Sequence, residues 1–442
     1  MSQTHPAPHR HDQDATGPIG VGLLGCGTVG TGVAKLLLSH AEDYRHRLGR
    51  PLALRRIAVR NPERSRGLDP KYFTGDPREV IGDPDTQIVV EVLGGVEPAR
   101  SLILQAIAAG KHVVTANKEV IARHGEEIFT AAREQGVGVF IEGTVGGGIP
   151  IIMPIKASLA ANRVTRIAGI INGTTNYILT KMTQEGAELG TALSEAQRLG
   201  YAEADPAADI EGYDAAYKIA ILASTIFSQR VKIEDVHREG ITQLTAADIR
   251  YAKELGYVIK LLGIAVQQDG HHQARVHPAM VAKSHPLAHV NGVSNAIAVH
   301  GDAVGEVMFY GPGAGQMPTA SAVMGDVLNI ASDLDHASRL MGCLHTDAAA
   351  LSGIETVETQ FYIRLLAQDR PGVIGALGQS FGRFNVSILS MMQKNQQDGL
   401  AEIVLVTHKV KEKALRQALA DVAEHETIQS IASVIRVEGE SA

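Results

Sequence analysis

The first third of the chain alternates short apolar runs with amphipathic stretches. This alternation predicts parallel strands joined by crossover helices, as in a doubly wound α/β sheet. The predicted strands are residues 19–24, 52–59, 87–92, 111–114 and 138–141, and the predicted helices are residues 29–38, 97–109 and 126–134.

The pattern changes after Pro150, where longer strands and helices follow each other less regularly. Strands are predicted at residues 164–171, 260–267, 273–282, 293–300 and 305–310, with helices at 214–227 and 320–334. This middle region is typical of an α+β substrate or dimerisation domain. The last region predicts a β-α-β-β-α-β order, typical of a small ferredoxin-like module, over residues 361–366, 373–384, 386–393, 402–407, 411–423 and 428–436.

Composition narrows the class of protein. The 442 residues are 45% hydrophobic and 4% aromatic, lack Trp and carry a net charge of −7, which argues against a nucleic-acid or anionic-membrane binder. Two cysteines favour a reducing compartment, so we expect a cytoplasmic protein. Residues 1–17 are predicted to be a disordered extension; His5, His9 and His11 there fit a solvated tail better than a metal site.

A glycine-rich turn follows the first predicted strand. Residues 25–30 read G-C-G-T-V-G, which fits G-x-G-x-x-G at the start of a helix and predicts a dinucleotide site. A chance glycine turn is the alternative. The predicted cofactor contacts are Gly25, Gly27, Thr28, Val29 and Gly30.

The second predicted strand ends at Arg60, where an NAD site would carry an acidic residue. A guanidinium group suits the 2′-phosphate of NADP, and Arg64 and Arg66 follow. We therefore predict NADP preference with some acceptance of NAD, against the alternative of a solvated basic loop.

Five motifs occur in a fixed order and together resemble homoserine dehydrogenases. They are T-A-N-K at 115–118, E-G-T-V-G-G-G-I-P at 142–150, N-G-T-T-N-Y-I at 172–178, G-Y-A-E-A-D-P at 200–206 and D-A-A-Y-K at 214–218. The resemblance runs from about residue 19 to the C-terminus. It implies reversible NAD(P)-linked interconversion of L-aspartate 4-semialdehyde and L-homoserine, in threonine, methionine and isoleucine biosynthesis.

The resemblance assigns Lys218 as proton donor and places Lys118 near the nicotinamide and the reacting carbon. Asp214 and Lys218 are spaced i and i+4 on one predicted helix, so the carboxylate would orient the ammonium group. A surface ion pair is the alternative for such a spacing. The resemblance also implies homoserine binding by Glu203, with Gly173, Thr174, Tyr201, Asp209, Asp214 and Lys218 around it, and a cofactor contact at Gly315.

The glycine-rich loop after residue 141 either makes a tight turn or holds a cation. The resemblance implies a monovalent cation, Na⁺ or K⁺, bound by Glu142 and by the backbone carbonyls of Val145, Gly147 and Ile149. Oxygen ligands with one carboxylate suit such an ion better than zinc.

The C-terminal module resembles an ACT regulatory domain at residues 369–373, D-R-P-G-V. The resemblance suggests feedback by L-threonine and a homo-oligomer, either a dimer or a tetramer; a purely structural dimerisation module is the alternative. The candidate effector residues are Asp369, Gly372, Val373, Asn385 and Gln393.

The predicted domains follow from these assignments. They are an extension (1–17), a dinucleotide-binding domain (18–150, with part of 311–340 returning to it), a substrate and dimerisation domain (151–340), a linker (341–358) and an ACT domain (359–442). We expect that deletion of 359–442 leaves activity but abolishes any threonine response.

Two other functions compete with this interpretation. An aldehyde-oxidising dehydrogenase would need a cysteine nucleophile, but Cys26 lies in the glycine turn and Cys343 in or beside the predicted linker. A non-catalytic amino-acid sensor would have no use for the full set of Lys118, Lys218, Glu203 and Asp214.

Overall fold

The computed structural model describes residues 17–268, 270–340, 347–397 and 400–438. Residues 1–16 of the predicted extension, with His5, His9 and His11, lie outside the described residues, as does Cys343. None of the described helices is both long enough and apolar enough to cross a lipid bilayer.

The strands follow the chain in the order β1 (Ile19–Leu24), β2 (Leu52–Ala58), β3 (Phe73–Thr74), β4 (Ile88–Glu91), β5 (His112–Thr115), β6 (Val139–Phe140), β7 (Val164–Ile170), β8 (His237–Arg238), β9 (Tyr257–Gln268), β10 (His271–Ala282), β11 (Ser294–Gly301), β12 (Gly305–Pro312), β13 (Glu358–Gln368), β14 (Ile388–Gln397), β15 (Leu400–Thr407), β16 (Val410–Lys411) and β17 (Ile428–Glu438).

The helices are α1 (Thr28–Ser39), α2 (Ala41–Leu48), α3 (Arg78–Ile81), α4 (Ala99–Ala108), α5 (Lys118–Gln135), α6 (Gly173–Glu185), α7 (Leu189–Arg198), α8 (Ala207–Ile210), α9 (Tyr213–Phe227), α10 (Ala246–Glu254), α11 (Gln316–Ser332), α12 (Ala337–Leu340), α13 (Val373–Arg383) and α14 (Glu412–Ala423).

The described residues divide into two compact units. The first contains residues 17–117, 127–143 and 319–340, and the second contains the remainder, including the first nine residues of α5. The first unit therefore takes in most of α11, which follows the second unit's strands in the chain.

The first unit is built on a parallel sheet with the order β3-β2-β1-β4-β5-β6. This is the Rossmann order, in which ligands bind at the carboxyl ends of the strands. All six residues of β1 are buried, as expected for a strand covered on both faces. The predicted doubly wound α/β domain is confirmed.

The second unit is built on one 11-stranded mixed sheet. Its order is β12-β11-β7-β9-β10-β17-β13-β15-β14, with β8 paired to β10 and β16 to β13. The C-terminal β-α-β-β-α-β module supplies β13 to β17. Its last strand pairs in parallel with β10, with Ala279 opposite Arg436, so the module and the middle region share a sheet.

The described part of the predicted linker is tied to the same unit by backbone hydrogen bonds. Ala349 N–H donates to Arg230 O at 2.8 Å, and Ser352 N–H donates to His272 O at 2.8 Å. Residues 347–358 therefore run along the body of the unit, and residues 341–346 lie outside the described residues.

Several helices were not predicted from the hydrophobic pattern, among them α6, α7 and α10. Helix α6 opens with Gly, Thr, Thr and Asn, which have low helix propensity. It begins because the Asn172 side chain accepts from Thr175 N–H at 2.8 Å as an N-cap. Helix α10 begins with a capping box of Thr245 and Asp248, a signal that the sequence does contain.

Candidate active site

Two lysines share one buried carboxylate in the second unit. Lys218 Nζ lies 2.6 Å from Asp214 Oδ2, and Lys118 Nζ lies 3.0 Å from Asp214 Oδ1. Asp214 and Lys218 are one turn apart on α9, which follows a left-handed Gly212 (φ 82°), and Lys118 is the first residue of α5. Lys218 Nζ also donates to Ile171 O at 2.8 Å, so two acceptors fix the position of Lys218.

Asn172 links this cluster to a second carboxylate. Its Nδ2 donates to Asp214 Oδ2 at 2.9 Å and to Asp209 Oδ1 at 2.7 Å, while its oxygen caps α6. The local fold at the end of β7 therefore orients both acids with one amide. Asn172 is the first residue of the N-G-T-T-N-Y-I motif, but sequence reasoning gave it no role of its own.

The charges in the cluster shift the pKa values of one another. Burial alone would raise the pKa of Asp214, but the Lys218 and Lys118 ammonium groups outweigh burial and hold that pKa well below its ordinary value. The Asp214 charge in turn raises the pKa of Lys118. Burial raises the pKa of Asp209, and the nearby Asp214 charge adds to that rise.

The loop at residues 200–206 lies beside the start of α6. Thr174 Oγ1 donates to Tyr201 O at 2.7 Å, and Gln197 Nε2 donates to Glu203 O at 3.0 Å. The Glu203 side chain is exposed and forms no ion pair with the described residues. Gly173, Thr174 and Tyr201 are thus brought together, and the loop leaves the Glu203 carboxylate open to a ligand.

The glycine turn of the first unit has the geometry of a phosphate-binding loop. Gly25 has φ 108°, and a Cβ there would lie 2.8 Å from Val92 O. A Cβ on Gly30 would lie 2.4 Å from Gly25 O. Gly27 occupies the N-cap of α1 with no side-chain cap, so the first backbone N–H groups of Thr28 and Val29 are available to an anion.

Arg60 follows β2, as the sequence predicts, and is exposed. It forms no ion pair with any carboxylate of the described residues. Arg66 instead donates to Asn61 O at 2.9 Å and lies over the Phe73 ring, 5.3 Å from its centroid. Arg60 is therefore the more available guanidinium of the two.

The predicted cation ligands fall in both units. In the second, Gly147 (φ 57°) packs against the loop at 311–315, because a Cβ there would lie 2.4 Å from Gly313 O. Gly148 N–H donates to Pro312 O at 3.0 Å, and Val145 and Ile149 are buried. Gly315, the predicted cofactor contact, has φ 120°.

In the first unit, the Glu142 carboxyl is buried near a second buried acid. Glu142 N–H donates to Asp326 Oδ2 at 2.8 Å. Burial and the Glu142 charge raise the pKa of Asp326 well above its ordinary value. Asp326 Oδ1 has no hydrogen-bond partner in the described chain. Nothing in the sequence pattern of α11 singled out Asp326.

The predicted effector residues divide between two ends of α13. Gln393 Nε2 donates to Asp369 Oδ1 at 3.0 Å, and Gly372 (φ 94°) is the N-cap before Val373. Asn385 has φ 55° and follows the C-terminal end of the same helix. The chain therefore brings four of these residues together and places Asn385 about a helix length away.

Comparison with known proteins identifies the family whose domains and motifs this chain resembles. Three family models match: homoserine dehydrogenase NAD binding domain over residues 25–142, homoserine dehydrogenase over 150–328, and ACT domain over 361–426. A homoserine dehydrogenase of Synechocystis sp. is 52% identical over 429 residues, covering 94% of this chain and 99% of the relative. One from Mycobacterium tuberculosis is 45% identical, covering 96% and 98%.

The chain belongs to the homoserine dehydrogenase family. A crystal structure of a homoserine dehydrogenase from Thiobacillus denitrificans matches with a TM-score of 0.91 and 44% identity, covering 95% of this chain and 98% of that one. A hyperthermophilic archaeal homoserine dehydrogenase in complex with NADPH matches with a TM-score of 0.61 and 29% identity, covering 71% and 97%.

Membership of the homoserine dehydrogenase family confirms the predicted fold class and the enzyme class. The chain is an oxidoreductase with an NAD(P)-binding domain, a catalytic domain and an ACT domain.

Proposed function

We propose that this chain catalyses the reversible NADP-linked reduction of L-aspartate 4-semialdehyde to L-homoserine, a step of threonine, methionine and isoleucine biosynthesis. The observation that carries the proposal is the Asp214 carboxylate shared by Lys118 and Lys218. Reduction of an aldehyde creates an alkoxide, and positioned ammonium groups stabilise that charge.

In this proposal Lys218 is the proton donor. Asp214 and Ile171 O accept two of its three N–H donors, which leaves one for the substrate oxygen. A bound nicotinamide would supply the hydride for the carbonyl carbon, and Lys218 would deliver the proton to the carbonyl oxygen. Lys118 stabilises the developing negative charge beside it.

The substrate also carries an α-ammonium and an α-carboxylate group. The exposed Glu203 carboxylate suits the ammonium group, and the start of α6 at Gly173 and Thr174 suits the carboxylate through its N–H groups. Tyr201 completes the pocket, while Asp209 and Asp214 keep the ammonium end of the site negative.

We further propose that NADP is the preferred cofactor and that NAD is accepted more weakly. Arg60 supports this because its guanidinium is exposed at the position where an NAD site carries an acid. The structure of the archaeal relative is a complex with NADPH, which supports NADP as a cofactor here. Gly25, Gly27, Gly30 and Gly315 would line the cofactor site.

Glu142, with the carbonyls of Val145, Gly147 and Ile149, is proposed to hold Na⁺ or K⁺. The buried carboxyls of Glu142 and Asp326 favour a nearby positive charge, because two buried acids repel each other when ionised. The ion would have a structural role.

The ACT domain is proposed to bind L-threonine at Asp369, Gln393 and the start of α13, within a homo-oligomer. The Asp369–Gln393 hydrogen bond supports this, since it places polar groups beside the N–H groups of Gly372 and Val373. These groups match the two charged ends of an amino acid.

The test follows the near-ultraviolet absorbance of the reduced nicotinamide with L-homoserine and NADP⁺ or NAD⁺, with and without L-threonine. We expect homoserine-dependent reduction, faster with NADP⁺, and a lower rate with threonine. Absence of reduction by folded enzyme supplied with Na⁺ or K⁺ would overturn the proposed reaction. An unchanged rate with threonine would overturn only the effector.

A further inference from the structure

A buried carboxylate in the first unit has a place in neither the glycine turn nor the lysine cluster. Glu91 is the last residue of β4 and is 0% exposed. It pairs in register with Thr115 at the end of β5, and with Leu24 at the end of β1. Glu91 therefore lies at the carboxyl edge of the Rossmann sheet, where this fold binds its ligand.

The Glu91 carboxylate joins two loops that leave this edge. Its Oε1 accepts from Leu93 N–H at 2.7 Å, which fixes the loop containing Gly94 and Gly95. Its Oε2 accepts from Thr115 Oγ1 at 2.6 Å. Both glycines have positive φ, and a Cβ on either would meet nothing within 4 Å, so their loop has an open side.

The second loop leads directly into α5 and Lys118. Thr115 Oγ1 accepts from Asn117 N–H at 2.9 Å, and Asn117 Nδ2 donates to Gly95 O at 2.7 Å. The residue preceding Lys118 is thus held at both its backbone and its side chain. Each of these contacts depends on the Thr115 hydroxyl or on the loop that Glu91 fixes.

We propose that Glu91 is a positioning residue of the reaction: through Thr115 and Asn117 it sets the place of Lys118, and through Leu93 it sets the Gly94–Gly95 loop against the nicotinamide half of the cofactor. This inference rests on the proposed function for its link to Lys118. Burial raises the pKa of Glu91, and its hydrogen bonds from Thr115 and Leu93 oppose the rise.

Val92, which follows Glu91 in the chain, packs against the glycine turn, so Glu91 also affects that turn. The Cβ positions of Gly25 and Gly30 would lie 2.8 Å from Val92 O and 3.1 Å from Val92 Cγ2. A displaced Glu91 therefore shifts the surface on which the glycine turn rests. Loss of Glu91 is expected to weaken cofactor binding even in the absence of substrate.

The test compares E91Q with Q87A, a matched variant of the residue that immediately precedes β4. Gln87 Oε1 accepts from Gly20 N–H at 2.7 Å, so Q87A also removes one side-chain bond to the backbone of the sheet. For E91Q we expect kcat to fall about 10- to 100-fold and the Kd for NADPH, titrated by fluorescence without substrate, to rise. For Q87A we expect wild-type kcat and Kd.

Two further variants distinguish positioning from a general loss of stability. T115V removes the hydroxyl that links Glu91 to Asn117, and T115S keeps it, so T115S should restore most of the kcat that T115V loses. If Glu91 acts through Lys118, E91Q should lower kcat much less in a K118A background than in the wild type. If E91Q does not fold, the comparison of T115V with T115S still tests the positioning role.

The outcomes separate this inference from the proposed reaction. Wild-type kcat and NADPH affinity in folded E91Q would overturn the positioning role, as would equal losses in T115S and T115V or an undiminished E91Q effect in the K118A background. A wild-type enzyme without homoserine-dependent activity would overturn the proposed function and the link to Lys118. The comparison of NADPH affinity between E91Q and Q87A would still decide the cofactor part.

Discussion

Asp214 and Arg436 each stand at the centre of a buried charge cluster in the second unit, and the two clusters have opposite proportions of charge. One Asp214 carboxylate serves two ammonium groups, those of Lys118 and Lys218. One Arg436 guanidinium serves two carboxylates: its nitrogens lie 2.6 to 2.9 Å from the oxygens of Glu239 and Glu412.

The two clusters differ in how many N–H donors remain available to a ligand. Arg436 is 5% exposed, and four of its five N–H donors go to carboxylates. Lys118 is 40% exposed, and Asp214 is its acceptor among the described residues, which leaves two of three N–H donors for a ligand. A buried cluster whose donors are almost all used holds two segments together, whereas one with exposed spare donors can act on a substrate.

The largest effect is expected from removing a spare donor. K218A should lower kcat by about 10²- to 10⁴-fold, because general acid catalysis contributes that much, while NADP binding is retained. Steady-state kinetics and a cofactor titration measure the two quantities. K181A is the matched control, since Lys181 pairs with Glu185 and Glu195 at distances similar to those in the site. Near-normal turnover of K218A would remove Lys218 as proton donor.

The shared carboxylate should control the pH profile. Asp214 raises the pKa of Lys118, so the charged form of Lys118 persists to higher pH in the wild type. D214N keeps the shape of the side chain and removes its charge, so we expect a lower kcat and a basic limb that moves to lower pH. A kcat–pH profile with an unchanged basic limb would mean that Lys118 does not titrate in the reaction.

Removing the open carboxylate should affect binding more than turnover. In E203A the α-ammonium of homoserine loses a charged partner worth about 1.5–3 kcal/mol, so we expect KM to rise about 10- to 100-fold with a smaller change in kcat. The exposed Asp205 on the same loop provides the control, as D205N should change KM little. Equal increases in KM for E203A and D205N would mean that binding depends on the overall negative charge of the loop and not on Glu203 itself.

Changes in the Arg436 cluster should appear in the free energy of unfolding. R436M leaves Glu412 buried without its main partner, at a cost of about 3–5 kcal/mol in the free energy of unfolding, with kcat retained in the folded fraction. R416A removes the exposed partner of Glu412 and should cost at most about 1 kcal/mol. Chemical denaturation measures both. A small loss in R436M would show that Arg436 contributes little to joining the module to the sheet.

Acidic pH should weaken the same Arg436 cluster. Burial alone would raise the pKa of Glu239, but His237 and Arg436 outweigh it and hold that pKa below its ordinary value of 4.5. This stability is present above pH 4.5 and is lost as the pH falls below it. R436M has less of this stability to lose, so its unfolding free energy should depend less steeply on acidic pH.

These contacts alter one expectation from the sequence. Deletion of 359–442 would remove Arg436 from Glu239 and Arg364 from Asp248, to which Arg364 Nε donates at 2.9 Å. It would also expose the edge of β10, which pairs with β17. We therefore expect the truncated chain to unfold, and a threonine response is better tested in the full chain.

The first unit was predictable because its strands are short apolar runs separated by turns. Strand β1 has the bounds that the pattern predicts. The motif order was enough to recognise the family and to select the lysines that the structure places on Asp214. Asn172, Asp326 and Glu91 were missed because their roles depend on partners that only the fold brings near, such as Asp326 on Glu142.

The joining of two sheets was also beyond the hydrophobic pattern. Strand β17 has the same apolar character whether it ends a separate module or pairs with β10. In the fold, charged residues far apart in the chain pair across this junction, such as Arg275 with Glu438, at 2.9 Å. Sequence reasoning on single segments cannot weigh such pairs.

The position of β17 has a consequence for how the protein is made. It lies between β10 and β13 in the large sheet but leaves the ribosome long after β10. Until then residues 279–281 of β10, beyond the short pairing with β8 at residues 275–276, lack a partner on that edge, and an unpaired edge is a template for association with other chains. Completion of the second unit therefore waits for β17, and slow or interrupted translation between β10 and β17 should favour aggregation.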